Sequence, residues 1–282
     1  VPIAENSLTV GSLAWFYREI VPNRESDKSP VLLLHGLPAQ SYSWRGIMPI
    51  LAEYGFRAIA PDWIGSGFSA KPEKRDFAYT PNAYLEALSA FIKSLEIEKL
   101  SLVVQGFLGS VGLQYALRYR DTIDRLVVLN TPLSSSANLP WKMGQWGMPF
   151  VGDMLTQDPL LVDRTLEGGS GFVIADPDLT IYRKPFLTTS AAGRALVATI
   201  KNLKLSECMS EVESGLAQWE KPTLIVWGIA DPWLSADDAQ KLANSKANVE
   251  LCQLDEAKHY PQEHWPKEVG EAIVNFLRRQ AI

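Results

Sequence analysis

Leu102-Val-Val-Gln-Gly-Phe-Leu-Gly-Ser-Val-Gly112 decides how this chain folds. Its opening residues, extended back to Leu100, form an apolar run rich in β-branched side chains, as in a strand buried on both faces. The pattern then changes to a helical period over Leu108–Tyr119, carried by Leu113-Gln-Tyr-Ala116. The segment therefore predicts a strand, Leu100–Gln105, that turns at Gly106 directly into a helix.

The same alternation extends outward from this unit. Candidate strands are Leu13–Val21, Val31–His35, Arg57–Pro61, Arg125–Leu129, Thr223–Trp227 and Val249–Leu254. Candidate helices are Pro81–Leu95, Ala236–Asn244 and Pro266–Arg279, with Asp237, Asp238 and Pro266 suited to helix starts. Strands alternating with helices predict an α/β fold, a mostly parallel twisted sheet with helices on both faces. Between residues 133 and 218 no clear strand is found, and the composition turns to Trp, Met, Phe, Gly and Pro. This predicts a core of residues 1–132 and 219–282, with a helical lid over 133–218. Trp141, Trp146 and Tyr182 are candidate pocket residues beneath that lid.

Composition narrows the function. The chain has 282 residues, 46% hydrophobic, enough for one large core. A net charge of −5 argues against nucleic-acid binding, which needs a clustered basic surface. Cys208 and Cys252 stand far apart and suggest neither a disulfide framework nor a metal site. No stretch reaches the ~18 apolar residues of a membrane span. A soluble protein with a small hydrophobic ligand or substrate, no metal and no cofactor is expected; oligomeric state is left open.

Three further motifs accompany the central unit. Val31-Leu-Leu-Leu-His-Gly-Leu-Pro38 runs a strand into a His-Gly-x-Pro turn. Asp62-Trp-Ile-Gly-Ser-Gly-Phe-Ser-Ala-Lys-Pro72 follows the next strand, and Trp227-Gly-Ile-Ala-Asp231 precedes His259-Tyr-Pro-Gln-Glu263. In this order the motifs resemble the α/β-hydrolase superfamily, in particular its haloalkane dehalogenase and epoxide hydrolase branch. The resemblance covers nearly the whole chain, is weakest in the lid, and implies that the lid is inserted after the sixth strand.

In that family the nucleophile stands on a sharp strand-to-helix elbow. The dehalogenase-like form reads Val-Val-Gln-Asp-Trp-Gly-Gly, which places the nucleophilic Asp on Gly106 and the following Trp on Phe107. Glycine has no side chain with which to attack carbon. Moving the register by one residue puts Phe107 there, which is equally inert. Moving it further reaches Ser110, but Leu108 is then bulky where a small residue is needed. Ser110 would also lie inside the first helical turn, where it is expected to cap backbone N–H groups.

The rest of the implied machinery is present. His259 matches the family's base, and Asp231 the acid that would orient it. Some members carry the acid after an earlier strand, but that position is Asn130, which is uncharged. The resemblance assigns the oxyanion-hole donors to the backbone N–H groups of Leu37 and Phe107, with His35 shaping the turn. His264 is expected to begin the C-terminal helix. Family halide ligands correspond to Phe107 and Leu37, whose side chains donate no hydrogen bond, so a working haloalkane dehalogenase is not expected.

Two functional classes remain. One is non-covalent general-base chemistry by His259 and Asp231, hydrolytic or lyase-like, on a small apolar substrate, with Tyr182 a candidate lid phenol. The other is a non-catalytic protein holding a lipid, pigment or isoprenoid-like ligand. Gln105-Gly-Phe, Tyr182-Arg-Lys-Pro and Asp231-Pro-Trp-Leu-Ser are also similar to a hydrolase-like group of cyanobacteria and plastids. That likeness implies a cytoplasmic or stromal location.

Overall fold

The computed structural model describes residues 2–24, 26–158 and 160–279. Its strands are β1 (Ala4–Val10), β2 (Leu13–Ile20), β3 (Val31–Leu34), β4 (Ala58–Pro61), β5 (Leu100–Gln105), β6 (Ile123–Leu129), β7 (Thr223–Gly228) and β8 (Val249–Leu254). They form one sheet in the order β1-β2-β4-β3-β5-β6-β7-β8. From β4 to β8 every pairing is parallel; β2 joins β4, and β1 joins β2, antiparallel.

Every residue of β3, β4, β5 and β7 is buried, because helices cover both faces. Alternate side chains divide between two cores, as the period of two requires. Leu32, Leu34, Leu102, Val104, Leu126 and Val128 join α2 (Pro81–Ser94) and α3 (Gly109–Arg118). Val31, Leu33, Val103, Val127 and Leu129 face the opposite layer, where α1 (Met48–Glu53) and the C-terminal helix pack.

Among the described residues, six α-helices lie between β6 and β7: α4 (Trp141–Gly144), α5 (Val151–Leu155), α6 (Leu161–Ser170), α7 (Asp176–Thr188), α8 (Ser190–Asn202) and α9 (Leu205–Ala217). The chain closes with α10 (Asp237–Ser245), α11 (Pro261–His264) and α12 (Pro266–Leu277). His264 thus ends the short α11 instead of starting α12. No helix among the described residues is long and apolar enough to cross a membrane.

Polar groups fasten the loops at the carboxyl ends of the strands. His35 donates from Nδ1 to the Gly36 carbonyl at 2.8 Å, and its Nε2 accepts the Trp63 N–H at 3.1 Å. The Trp63 indole returns a bond to the His35 carbonyl at 3.0 Å. Asp62 accepts from the Ser41 and Phe68 N–H groups, each at 2.7 Å. Gly67 has φ +49° and runs so close to this carboxylate that a Cβ would lie 2.0 Å from Asp62 Oδ2. Glycine is required there both for its conformation and for that approach.

His35 makes stability depend on pH. Burial holds its imidazole below the usual range, outweighing the nearby Asp62 charge. Protonation at Nε2 would also break the bond from Trp63. The unfolded chain therefore binds a proton that the folded one resists. This contribution is complete above about pH 6.5 and is lost as pH falls below it, by up to about 1.4 kcal/mol per unit. Urea midpoints should fall from pH 7.5 to 5.5, with a shallower slope in His35→Gln. Equal slopes in the two proteins would contradict this assignment.

Candidate functional site

The elbow forms where β5 ends. Gly106 follows Gln105 with φ +71°, a left-handed conformation in which most side chains are strained. A Cβ built at Gly106 would stand 3.1 Å from Gly36 Cα and 3.5 Å from His259 Nε2. Position 106 therefore faces the imidazole directly. Gly36 must also be bare, since its own Cβ would fall 2.6 Å from Gln105 Oε1 and 3.0 Å from Gly106 Cα.

A single side-chain amide ties these parts together. Gln105 Oε1 accepts the Gly36 N–H at 3.1 Å, and its Nε2 donates to the His259 carbonyl at 2.8 Å. The β3 turn, the elbow and the histidine loop are thereby fixed to one buried group. The His-Gly turn and the histidine motif were both visible in sequence; the role of Gln105 between them was not.

His259 is completely buried. Its Nδ1 lies 2.8 Å from Asp231 Oδ2, and its Nε2 has no hydrogen-bond partner among the described residues. Asp231, with its side chain also buried, accepts at Oδ1 from the Trp233 N–H at 2.8 Å and the Leu234 N–H at 3.2 Å. Asn130 adds a fourth donor, from Nδ2 to Asp231 Oδ2 at 2.8 Å. Its amide is itself held by Gly228, whose N–H it accepts at 2.8 Å and whose carbonyl it meets at 3.1 Å. Asn130 was read from sequence only as an absent acid. It stands beside the acid as its donor.

Aromatic rings enclose the imidazole. Phe107 stacks on it at 5.3 Å and 23°, Tyr260 meets it edge-on at 4.9 Å, and Trp233 lies 4.7 Å away. The Tyr260 hydroxyl donates to the Leu37 carbonyl at 2.6 Å. The backbone N–H groups of Leu37 and Phe107, the assigned oxyanion donors, bond to no group among the described residues.

Other expected residues fall elsewhere. Ser110 is buried in the first turn of α3, but its hydroxyl donates to the Phe107 carbonyl at 2.7 Å instead of capping N–H groups. The same carbonyl accepts the Ser110 N–H at 3.2 Å, so the hydroxyl adds a second bond to it within the first turn. Trp141 and Trp146 line a cavity of about 800 Å³ among the inserted helices, together with Met143, Leu161 and Trp233. Trp141 sits at its mouth, 76% exposed. Tyr182 is not among its walls: its hydroxyl donates to Glu263 Oε2 at 2.7 Å. Arg45 bridges Glu263 at 2.6 Å and Asp178 at 3.1 Å, so this phenol belongs to a network joining α7 to the core. Burial, chiefly, pushes the Tyr182 phenol well above its usual range, which ill suits it to proton donation.

Comparison with known proteins agrees with this geometry. The family model of the alpha/beta hydrolase fold matches residues 29–165. A haloalkane dehalogenase of Mycobacterium marinum is 29% identical over 255 residues, covering 89% of this chain and 85% of its own length. A cis-3-alkyl-4-alkyloxetan-2-one decarboxylase of Shewanella oneidensis is 26% identical over 275 residues, covering 90% and 83%. Among solved structures, the haloalkane dehalogenase DbeA from Bradyrhizobium elkani superposes with a TM-score of 0.86 at 26% identity, covering 98% of each chain. Sheet order, elbow, histidine loop and these likenesses converge: the chain has the α/β-hydrolase fold and is similar to the haloalkane dehalogenase branch of that superfamily.

Proposed function

We propose that this protein is a hydrolase-like enzyme that forms no covalent intermediate at its elbow. His259, oriented by Asp231, acts as a general base on water or on an acidic proton of a small apolar substrate. The observation that carries this reading is the bare, unpartnered His259 Nε2, 3.5 Å from where a Gly106 side chain would begin.

The chemistry follows from the hydrogen bonds. An ionised Asp231 can only accept, so the proton of a neutral imidazole belongs on Nδ1 and the lone pair on Nε2. That lone pair points into space which the missing side chain at Gly106 would otherwise fill. A water or a substrate C–H placed there meets a base on one side. The free N–H groups of Phe107 and Leu37 are suited to receive developing negative charge on the other. Retention of four donors around Asp231 supports a base over a disused triad, because an acid kept only for packing needs no such orientation.

One observation favours a second reading. The lid cavity reaches Trp233 but His259 itself is sealed, as in a protein that holds a lipid, pigment or isoprenoid-like ligand without turning it over. Activity separates the two. The panel should span esters, epoxides, haloalkanes and β-lactones, the last because of the decarboxylase relative.

For any hydrolysed compound, single turnover in ¹⁸O-water should label product from the first cycle and leave the protein mass unchanged. His259→Ala should lower turnover by roughly 10²–10⁴-fold while ligand binding persists. Unchanged turnover in that variant, or a stable adduct on Ser110 after treatment with a serine-directed phosphonate, would sink the proposal. Gly106→Asp should release no halide from haloalkanes, since Phe107 and Leu37 offer no side-chain donor. Halide release would show that the pocket suffices. Asn130→Ala should cost about 1.5–3 kcal/mol by urea denaturation, the range for a hydrogen bond to a charged group. A loss below 0.5 kcal/mol would remove Asn130 from the support of Asp231.

A further inference from the structure

We infer that Trp233 is the gate between the lid cavity and the His259–Gly106 site, and that the site receives neutral apolar molecules that pass by displacing its indole. What is admitted rests on the general-base reading above; the gate itself does not.

Trp233 is the residue common to both compartments. It forms part of the wall of the cavity of about 800 Å³, beside Pro232 and the lid residues Trp141, Trp146 and Leu161. A cavity of this size takes a drug-sized molecule; its aromatic and aliphatic wall also carries Lys142 and the Asp158–Arg164 ion pair. On its other side the same indole lies 4.7 Å from the His259 ring, tilted by 59°. A molecule in the cavity is therefore one indole away from the imidazole.

The indole rests against the lid on bare backbone. A Cβ at Gly169, near the end of α6, would come within 2.5 Å of Trp233 Cη2 and 2.5 Å of Tyr260 Cε2. The outer edge of the indole thus rests on a glycine, and the Gly169 carbonyl also accepts the His259 N–H at 3.0 Å. Trp233 is held between α6 and the histidine loop by contact alone. Its indole, unlike those of Trp63 and Trp219, makes no hydrogen bond among the described residues.

Its backbone is anchored separately. The Trp233 N–H caps Asp231 Oδ1 at 2.8 Å, so the side chain can swing about its own torsions without disturbing the acid. Motion of the indole opens the path and leaves the His259–Asp231 pair assembled. A gate so built passes apolar molecules, since the rings of Phe107, Trp233 and Tyr260 that enclose the imidazole present aromatic surface to whatever arrives.

The test needs no known substrate. Diethyl pyrocarbonate acylates an unprotonated imidazole nitrogen, here the free Nε2, and peptide mass spectrometry follows the chain's three histidines individually. In the unaltered protein, His259 should react slowly, like the equally buried His35, and His264 faster. Trp233→Ala should speed acylation of His259 at least tenfold without moving His35. Added indole, refilling the gap, should restore protection. Trp233→Phe, which keeps a smaller aromatic partition, should give a lesser increase and serves if the alanine variant does not fold.

An unchanged His259 rate in a folded variant overturns the gate, as does a joint rise at His35 and His259, or indole without effect. Because the readout is acylation, the gate can stand even if His259→Ala leaves turnover intact, and can fall while the base survives.

Discussion

The close approach of Gly36 to Gly106, bridged by the Gln105 amide, is the constraint on which this structure depends. Two backbone segments from different strands pass so near that neither accommodates a Cβ without displacement. The amide that spans them also takes the His259 carbonyl, so the elbow and the base are located by one buried side chain. Each such bond contributes only about 0.5–1.5 kcal/mol net, but leaving any of these groups unpaired costs more, about 1–3 kcal/mol. Precision of the site therefore comes from the penalty for breaking the arrangement.

Around that point the fold separates two tasks. The sheet and its two helical layers fix where His259, Asp231 and the elbow meet. The helices between β6 and β7 supply most of the wall of the cavity beside Trp233. Gly169 joins the tasks, since one residue of α6 both supports the indole of Trp233 and accepts the His259 N–H. The Arg45–Glu263–Tyr182 network performs a similar fastening on another side of the lid, between α7 and α11. The glycine at position 106 leaves all of these fastenings in place. The region around the bare elbow therefore keeps a defined geometry.

Sequence legibility follows burial. Leu100–Gln105 and Val249–Leu254 match the observed strands at both ends, and the other expected strands fall within two residues. The strand β1 (Ala4–Val10) was missed. It is an edge strand, largely exposed, and its polar run Glu5-Asn6-Ser7 interrupts the alternation that Leu8 and Val10 would otherwise show. Helix α1 is only six residues long, too short to show a period. At the site, His259 and Asp231 were legible because motifs carry them. Asn130 and Trp233 were not, since their roles arise from loops that only the folded chain brings together. Tyr182 shows the converse: an aromatic in the lid segment suggested a pocket, while an acidic partner 81 residues away, Glu263, claimed its hydroxyl.

Which ring nitrogen of His259 carries the proton decides whether Nε2 is free to act as a base at Gly106. Nitrogen-15 NMR of labelled histidine measures this directly, and three histidines give a resolvable spectrum. Near neutral pH, His259 should show a protonated Nδ1 with a strongly deshielded proton bonded to Asp231, and a bare Nε2. The deshielded signal should vanish in Asp231→Asn. A proton on Nε2 with Nδ1 bare, or a spectrum unchanged by Asp231→Asn, would contradict the account.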